Sequence, residues 1–301
     1  MKKVLPKHDN TCRGCGRRPV FSIHSDFCRD CSRLAFRMKA RRLMPEAEAG
    51  VWAYVRANDY KCYYTKMPLE MDDTRSPWYC VFDHLIPLDP RNMVLTCALI
   101  NEMKSALSEK EFWYYVEQLA DYKTEHKKIK KIRLAYWRRH VPMAQGKFPT
   151  KKPRWPDPKA KKCDICDRPV FSLQSKYCLR CSHFFHRTEL KRISPQAKEE
   201  IRRHLRTKGF VCQYTGVPLD TENDRSPWYC VFNCFVPGDN SRVLLTCALF
   251  NEMKSDLSIK EFWYYIRQLA NYKRKHTRIR KKKLVYWYRL SSRPRFPQRP
   301  H

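Results

Sequence analysis

The chain has 301 residues, 43% of them hydrophobic, and carries 62 Lys plus Arg against 30 Asp plus Glu, a formal net charge of +32. No apolar run approaches the roughly 18–20 residues that a membrane span requires, and an excess of charge this large repels itself in any compact state unless a polyanion binds. A membrane partner is therefore not expected, and nucleic acid is the expected polyanion.

The opening MKKVLPKHDN lacks the apolar core of a secretory signal, so cytoplasm or nucleoid is the expected location. Of 15 cysteines, eight fall into C-x-x-C knuckles, which points to reduced thiolates on metal rather than disulfides. Cys12, Cys15, Cys28 and Cys31 form one set, and Cys163, Cys166, Cys178 and Cys181 form the other. Two knuckles on facing turns supply four thiolates to a tetrahedral ion, so two structural zinc ions are expected, each holding a ribbon with PVFS (19–22, 169–172) as a short strand.

Helical patterns follow each ribbon over 33–58 and 182–207, with Pro45 and Pro195 suited to the first turn of a new helix. Next come CYYTKMPLEMDDTRSPWYCVF at 62–82 and CQYTGVPLDTENDRSPWYCVF at 212–232, which frame short aromatic strands at 78–82 and 228–232. Cys62, Cys80 and Cys97, with Cys212, Cys230 and Cys247, lack ligand spacing and read as small buried apolar residues. Ser108 with Glu111, and Ser258 with Glu261, are capping boxes at which a long helix should start. Those helices carry EFWYY as a core plug and are expected to run on through basic ends at 123–140 and 273–290. Lys127, Lys128, Lys130, Lys131 and Arg133, then Lys273, Arg274, Arg278, Arg280 and Lys281, are the candidate phosphate contacts, on DNA with RNA as the alternative.

The segments repeat at an offset of about 150 residues. Residues 1–140 and 163–290 are thus two homologous halves of an α+β protein, each a four-cysteine ribbon, helices and a small αβ unit. Residues 141–162 form a Pro/Lys-rich linker and 291–301 a basic tail. The expected state is a monomer with an internal pseudo-dimer, or a homodimer.

The stretch FDHLIPLDPRNMVLTCALINEMKS at 82–105 carries the chemistry. Asp83 and His84 leave a strand side by side, Asn101 can offer a carbonyl oxygen to a cation, and Lys104 shares its helix face and could meet a phosphate. In order and spacing, Asp83-His84, Pro87, Asn92 before Met93-Val94-Leu95, and Asn101-x-x-Lys104 resemble the HNH (ββα-metal) endonuclease family. The resemblance implies Asp83 and Asn101 as ligands of a catalytic magnesium or manganese ion, His84 as general base and Asn92 as a brace of the loop. It also implies a ββα-metal unit with one active copy: Asn233, Cys234 and Arg242 stand where Asp83, His84 and Asn92 do in the other half. The competing expectation is a non-catalytic zinc protein that binds nucleic acid, as part of a ribonucleoprotein, on a nuclease scaffold.

Overall fold

A computed structural model describes residues 11–135 except 23 and 88, residue 137, and residues 161–284 except 171–173, 191–192, 236–238, 240 and 283. The expected linker, apart from 161 and 162, and the expected tail lie outside the described residues. Among the described residues the protein is α+β, with eight helices and two two-stranded antiparallel sheets. The elements come in one order twice: α1 (Arg29–Ala40), α2 (Pro45–Asn58), β1 (Cys80–His84), β2 (Met93–Cys97), α3 (Ala98–Lys104) and α4 (Glu109–Glu125), then α5 (Leu179–Leu190), α6 (Pro195–Lys208), β3 (Cys230–Cys234), β4 (Val243–Cys247), α7 (Ala248–Lys254) and α8 (Ile259–Lys275).

The chain divides into two compact units. Among the described residues, one comprises 11–104 together with 271–284, and the other comprises those within 105–270. In the first unit β1 pairs with β2 in register Cys80–Cys97 to His84–Met93. Alternation along β1 then sends Asp83 to one face and Phe82 and His84 to the other. The core gathers α1, α2, β2 and α3 through Leu34, Met38, Val51, Val55, Leu95 and Leu99, all almost wholly buried. The second unit repeats the pairing, Cys230–Cys247 to Cys234–Val243.

Pro45 and Pro195 occupy first-turn positions of α2 and α6, where a missing N–H costs nothing. Ser108 begins α4 as a complete capping box: its hydroxyl accepts from Glu111 N, and its own N–H donates to the Glu111 carboxylate at 2.8 Å. Such a cap is worth about 1 kcal/mol. Phe112, Trp113 and Tyr115 are buried as a core plug, and Cys62, Cys80 and Cys97 are buried as expected.

Three expectations are corrected. The strands begin two residues later than 78 and 228, because Trp78 and Trp228 lie in turns and Tyr79 and Tyr229 form isolated bridges to Glu70 and Asp220 ahead of the strands. PVFS at 19–22 contributes only an isolated bridge, Thr11 with Pro19, since proline cannot donate to a continuing ladder; its counterpart is the bridge Lys162 with Pro169. The long basic helices also stop early. His126 and His276 adopt left-handed conformations (φ 55 and φ 50), and their N–H groups bond back to Tyr122 and Tyr272 carbonyls. Beyond them Lys127, Lys128, Lys130 and Lys131 would crowd like charges at helical spacing, which disfavours continuation. The described residues there are not helical.

Candidate metal centres and strand-end site

The first knuckle is a tight turn in which Gly16 N–H bonds to the Cys12 carbonyl and Cys12 N–H to the Arg18 carbonyl, each at 2.8 Å. Gly16 takes φ +66, a left-handed conformation that glycine adopts without strain. Gly14 is required for a different reason: a Cβ there would meet Cys31 Sγ and a Trp52 ring carbon at 2.6 Å. Cys28 precedes α1 and Cys31 lies in its first turn, so the helix fixes the second knuckle. The ligand atoms of Cys12, Cys15, Cys28 and Cys31 lie within 4.8 Å of one another, and so do those of Cys163, Cys166, Cys178 and Cys181. A tetrahedral zinc with bonds of about 2.3 Å needs sulfur–sulfur edges of roughly 3.8 Å. Observed edges include 4.0 Å for Cys15–Cys28, 3.5 Å for Cys166–Cys178 and 3.6 Å for Cys166–Cys181.

The two four-cysteine groups can therefore each hold a structural zinc. Burial raises the Cys12 thiol, but N–H groups of Cys28 and Cys15 outweigh it and bring it down to about 7, which favours the thiolate. The first ribbon is tied to its unit by Tyr60, whose hydroxyl donates to Cys31 Sγ at 2.8 Å, and by Phe27 stacked on Trp52 at 5.4 Å. It is tied to β1 by Arg37, which donates to the Cys80 carbonyl at 2.5 Å and lies 4.6 Å from the Tyr79 ring centre. Arg187 repeats this on Cys230 and Tyr229.

At the end of β1, Asp83 is buried and doubly held. Tyr64 Oη donates to its Oδ2 at 2.6 Å, and Lys104 Nζ lies 3.2 Å from its Oδ1. The ammonium also donates to the His84 carbonyl at 3.0 Å, and its side chain is 1% exposed. The structure thus sets Lys104 against Asp83 rather than against solvent, unlike the phosphate contact expected from its helix face. His84 lies on the opposite strand face, half-buried. Burial holds its imidazole below the ordinary range, Asp83 acts in the opposite sense, and Lys104 and Arg41 lower it further. Asn92 is exposed; its Nδ2 donates to Asp89 Oδ2 at 2.6 Å and its carbonyl accepts from Leu85 N–H at 3.0 Å, so it closes the 85–92 loop. Asn101 lies on α3, half-buried.

The corresponding positions of the second unit are packed as amides. Asn233 Nδ2 donates to Asn251 Oδ1, and Tyr214 Oη donates to Asn233 Oδ1 at 3.0 Å. Positions 233 and 251 are thus within direct reach of each other. Lys254 stays buried with its Nζ 3.5 Å from the Ser255 carbonyl, and burial pushes its ammonium pKa down.

The sequence reading missed Tyr64, although Tyr-Thr at 64–65 and 214–215 stands in both copies of the repeat. The candidate phosphate contacts Lys127, Lys128, Lys130, Lys131 and Arg133 are exposed on the non-helical segment after α4. Lys273 and Arg274 lie in the last turn of α8, with Arg278, Arg280 and Lys281 exposed beyond it. No family model matches the chain, and neither the curated proteins nor the solved structures yield a match.

Proposed function

We propose that the protein is a metal-dependent endonuclease of HNH type that hydrolyses phosphodiester bonds of DNA, with one active centre, in the first half, and a second copy that has lost its own. The observation that carries this reading is the strand end itself: a carboxylate fixed by Tyr64 beside a half-exposed imidazole, with an amide on the following helix. Magnesium or manganese fits the donor set. Asp83 keeps carboxylate lone pairs beyond those used by Tyr64 and Lys104, Asn101 offers an amide oxygen, and such ions retain several waters. The ion supplies Lewis acidity toward a phosphoryl oxygen. His84, neutral near pH 7, takes the proton of the attacking water, while Asn92 holds the loop that presents it.

One centre per chain gives nicks rather than double-strand breaks. On supercoiled plasmid with Mg2+ or Mn2+, His84→Ala should lower the nicking rate by about a hundredfold, the ordinary contribution of a general base. Equal rates in the variant and the parent chain would remove His84 from the mechanism.

Phosphate contacts from the two basic segments should also make DNA affinity fall steeply with salt. Neutralising about six phosphates costs on the order of a thousandfold in affinity between 50 and 200 mM salt. A flat response in a fluorescence-anisotropy titration would exclude those segments from the interface.

A second reading, a non-catalytic nucleic-acid-binding zinc protein, draws on the Asp83–Lys104 ion pair, which already neutralises the carboxylate. It predicts binding indifferent to EDTA at concentrations that leave the cysteine sites loaded, and no cleavage with either cation.

A further inference from the structure

The compact units do not follow the sequence halves. Among the described residues, the first unit takes in 271–284 from the second half, and the second unit takes in the first half from 105 onward. In each unit a lysine of the segment after a long helix sits over a tryptophan, at positions 150 apart, while its hydrogen-bond partner differs. In the first unit, Lys281 Nζ donates to Glu70 Oε1 at 2.8 Å and sits 5.4 Å from the Trp78 ring centre. In the second unit, Lys131 Nζ donates to the Pro218 carbonyl at 2.8 Å and sits 4.9 Å from the Trp228 ring centre.

Apolar anchors flank each lysine. Ile279 and Leu284 are 4% and 1% exposed, and Ile129 is 8% exposed. Tyr115 lies 5.9 Å from Trp228 and 6.3 Å from Phe250, and its hydroxyl accepts from Ile132 N–H at 3.2 Å, so the segment after α4 is fastened to the residues that carry β3 and β4. The left-handed turns at His126 and His276 are what redirect the chain into these two segments.

We infer that the sequence halves exchange arms: residues 127–134 complete the unit that carries β3 and β4, and residues 277–284 complete the unit that carries β1 and β2. The partner for the Glu70–Trp78 surface is thus a named segment of the same chain. The grip falls where it matters for the strand-end site. Glu70 N–H bonds to the Trp78 carbonyl at 3.0 Å and Cys80 N–H to the Glu70 carbonyl at 2.8 Å, so Lys281 holds both sides of the bridge from which β1 starts. A half stripped of Asp83 and His84 equivalents still acts on the other, as the source of its brace. This inference stands whether or not the protein cleaves DNA.

The test uses the full chain with a specific protease site placed in the 141–162 segment. After cutting, both halves should elute together at the size of the intact 36.4 kDa chain and part only in denaturant. Separate elution would overturn the inference. To exclude another surface as the join, the cut chain carrying Lys281→Glu, an exposed position whose replacement leaves the core intact, should dissociate several-fold more readily. Adding Glu70→Lys should restore it. Ile279→Asp with Leu284→Asp should raise the dissociation constant between the halves at least tenfold. Unchanged association in all three variants would show that the arms do not join the halves.

Discussion

Stripping zinc with a strong chelator should release the ribbon of each unit, with protease cuts appearing across 12–31 and 163–181 and a large fall in the thermal midpoint. Four thiolates gathered within 4.8 Å do not stay together as bare anions, and the described ribbon holds little else: an isolated bridge, a knuckle turn and a handful of contacts to α2 and β1. In comparable small domains the ion contributes about 10–16 kcal/mol to folding. Metal analysis should find about two zinc per chain, one for each closed four-cysteine site. Gly14→Ala tests the first site without a chelator, because the added methyl would sit 2.6 Å from Cys31 Sγ and from the Trp52 ring, neither of which can retreat without moving a ligand or opening the Phe27–Trp52 stack. The variant should bind about one zinc instead of two. Two equivalents with an unchanged melting curve would show that the first cysteine set is not a metal site.

Asp83→Leu should weaken the first unit by about 3–5 kcal/mol, because it leaves the Lys104 ammonium buried without its carboxylate. The two side chains are 7% and 1% exposed, so solvent cannot take over the charge. Replacing both, Asp83→Leu with Lys104→Met, should recover most of the loss, since a buried ion pair and an apolar pair of similar volume are often close in stability. Native-state hydrogen exchange of the β1 and β2 amides reads the effect locally; a single variant as well protected as the double one would mean the pair contributes nothing. For the nuclease reading this matters in a practical way. Loss of cleavage in an Asp83 variant cannot distinguish metal ligation from folding, whereas half-exposed His84 makes no comparable ion pair.

Local chemistry was legible in the sequence. The C-x-x-C spacings, the two prolines at first-turn positions and the Ser-x-x-Glu boxes each depend on residues a few positions apart, and each landed where the spacing put it. The strand-end residues were legible as a set, but their partners were not. Helix periodicity puts Lys104 on a face, and only tertiary packing decides whether that face meets a phosphate or Asp83. Tyr64 escaped notice because nothing in a Tyr-Thr turn says that its hydroxyl will travel to a carboxylate 19 residues on. The basic stretches after α4 and α8 have residues that favour helix singly, and what stops them is cumulative repulsion together with a histidine turned left-handed. The arm exchange was hidden for the most general reason: pairing 281 with 70 is non-local, and a repeat pattern looks the same whether each arm folds onto its own half or onto the other.

The bond between Lys281 and Glu70 also sets a clock on biosynthesis. Residue 104 ends the contiguous part of the first unit, yet its brace is not made until residue 284, which at ordinary translation rates is a delay of about 10–40 s. Throughout that interval the nascent first unit carries an uncovered tryptophan surface next to its strand pair. A chain built in this way spends the longest part of its synthesis at its stickiest, and its yield in the cell depends on what shields Trp78 until its own last segment arrives.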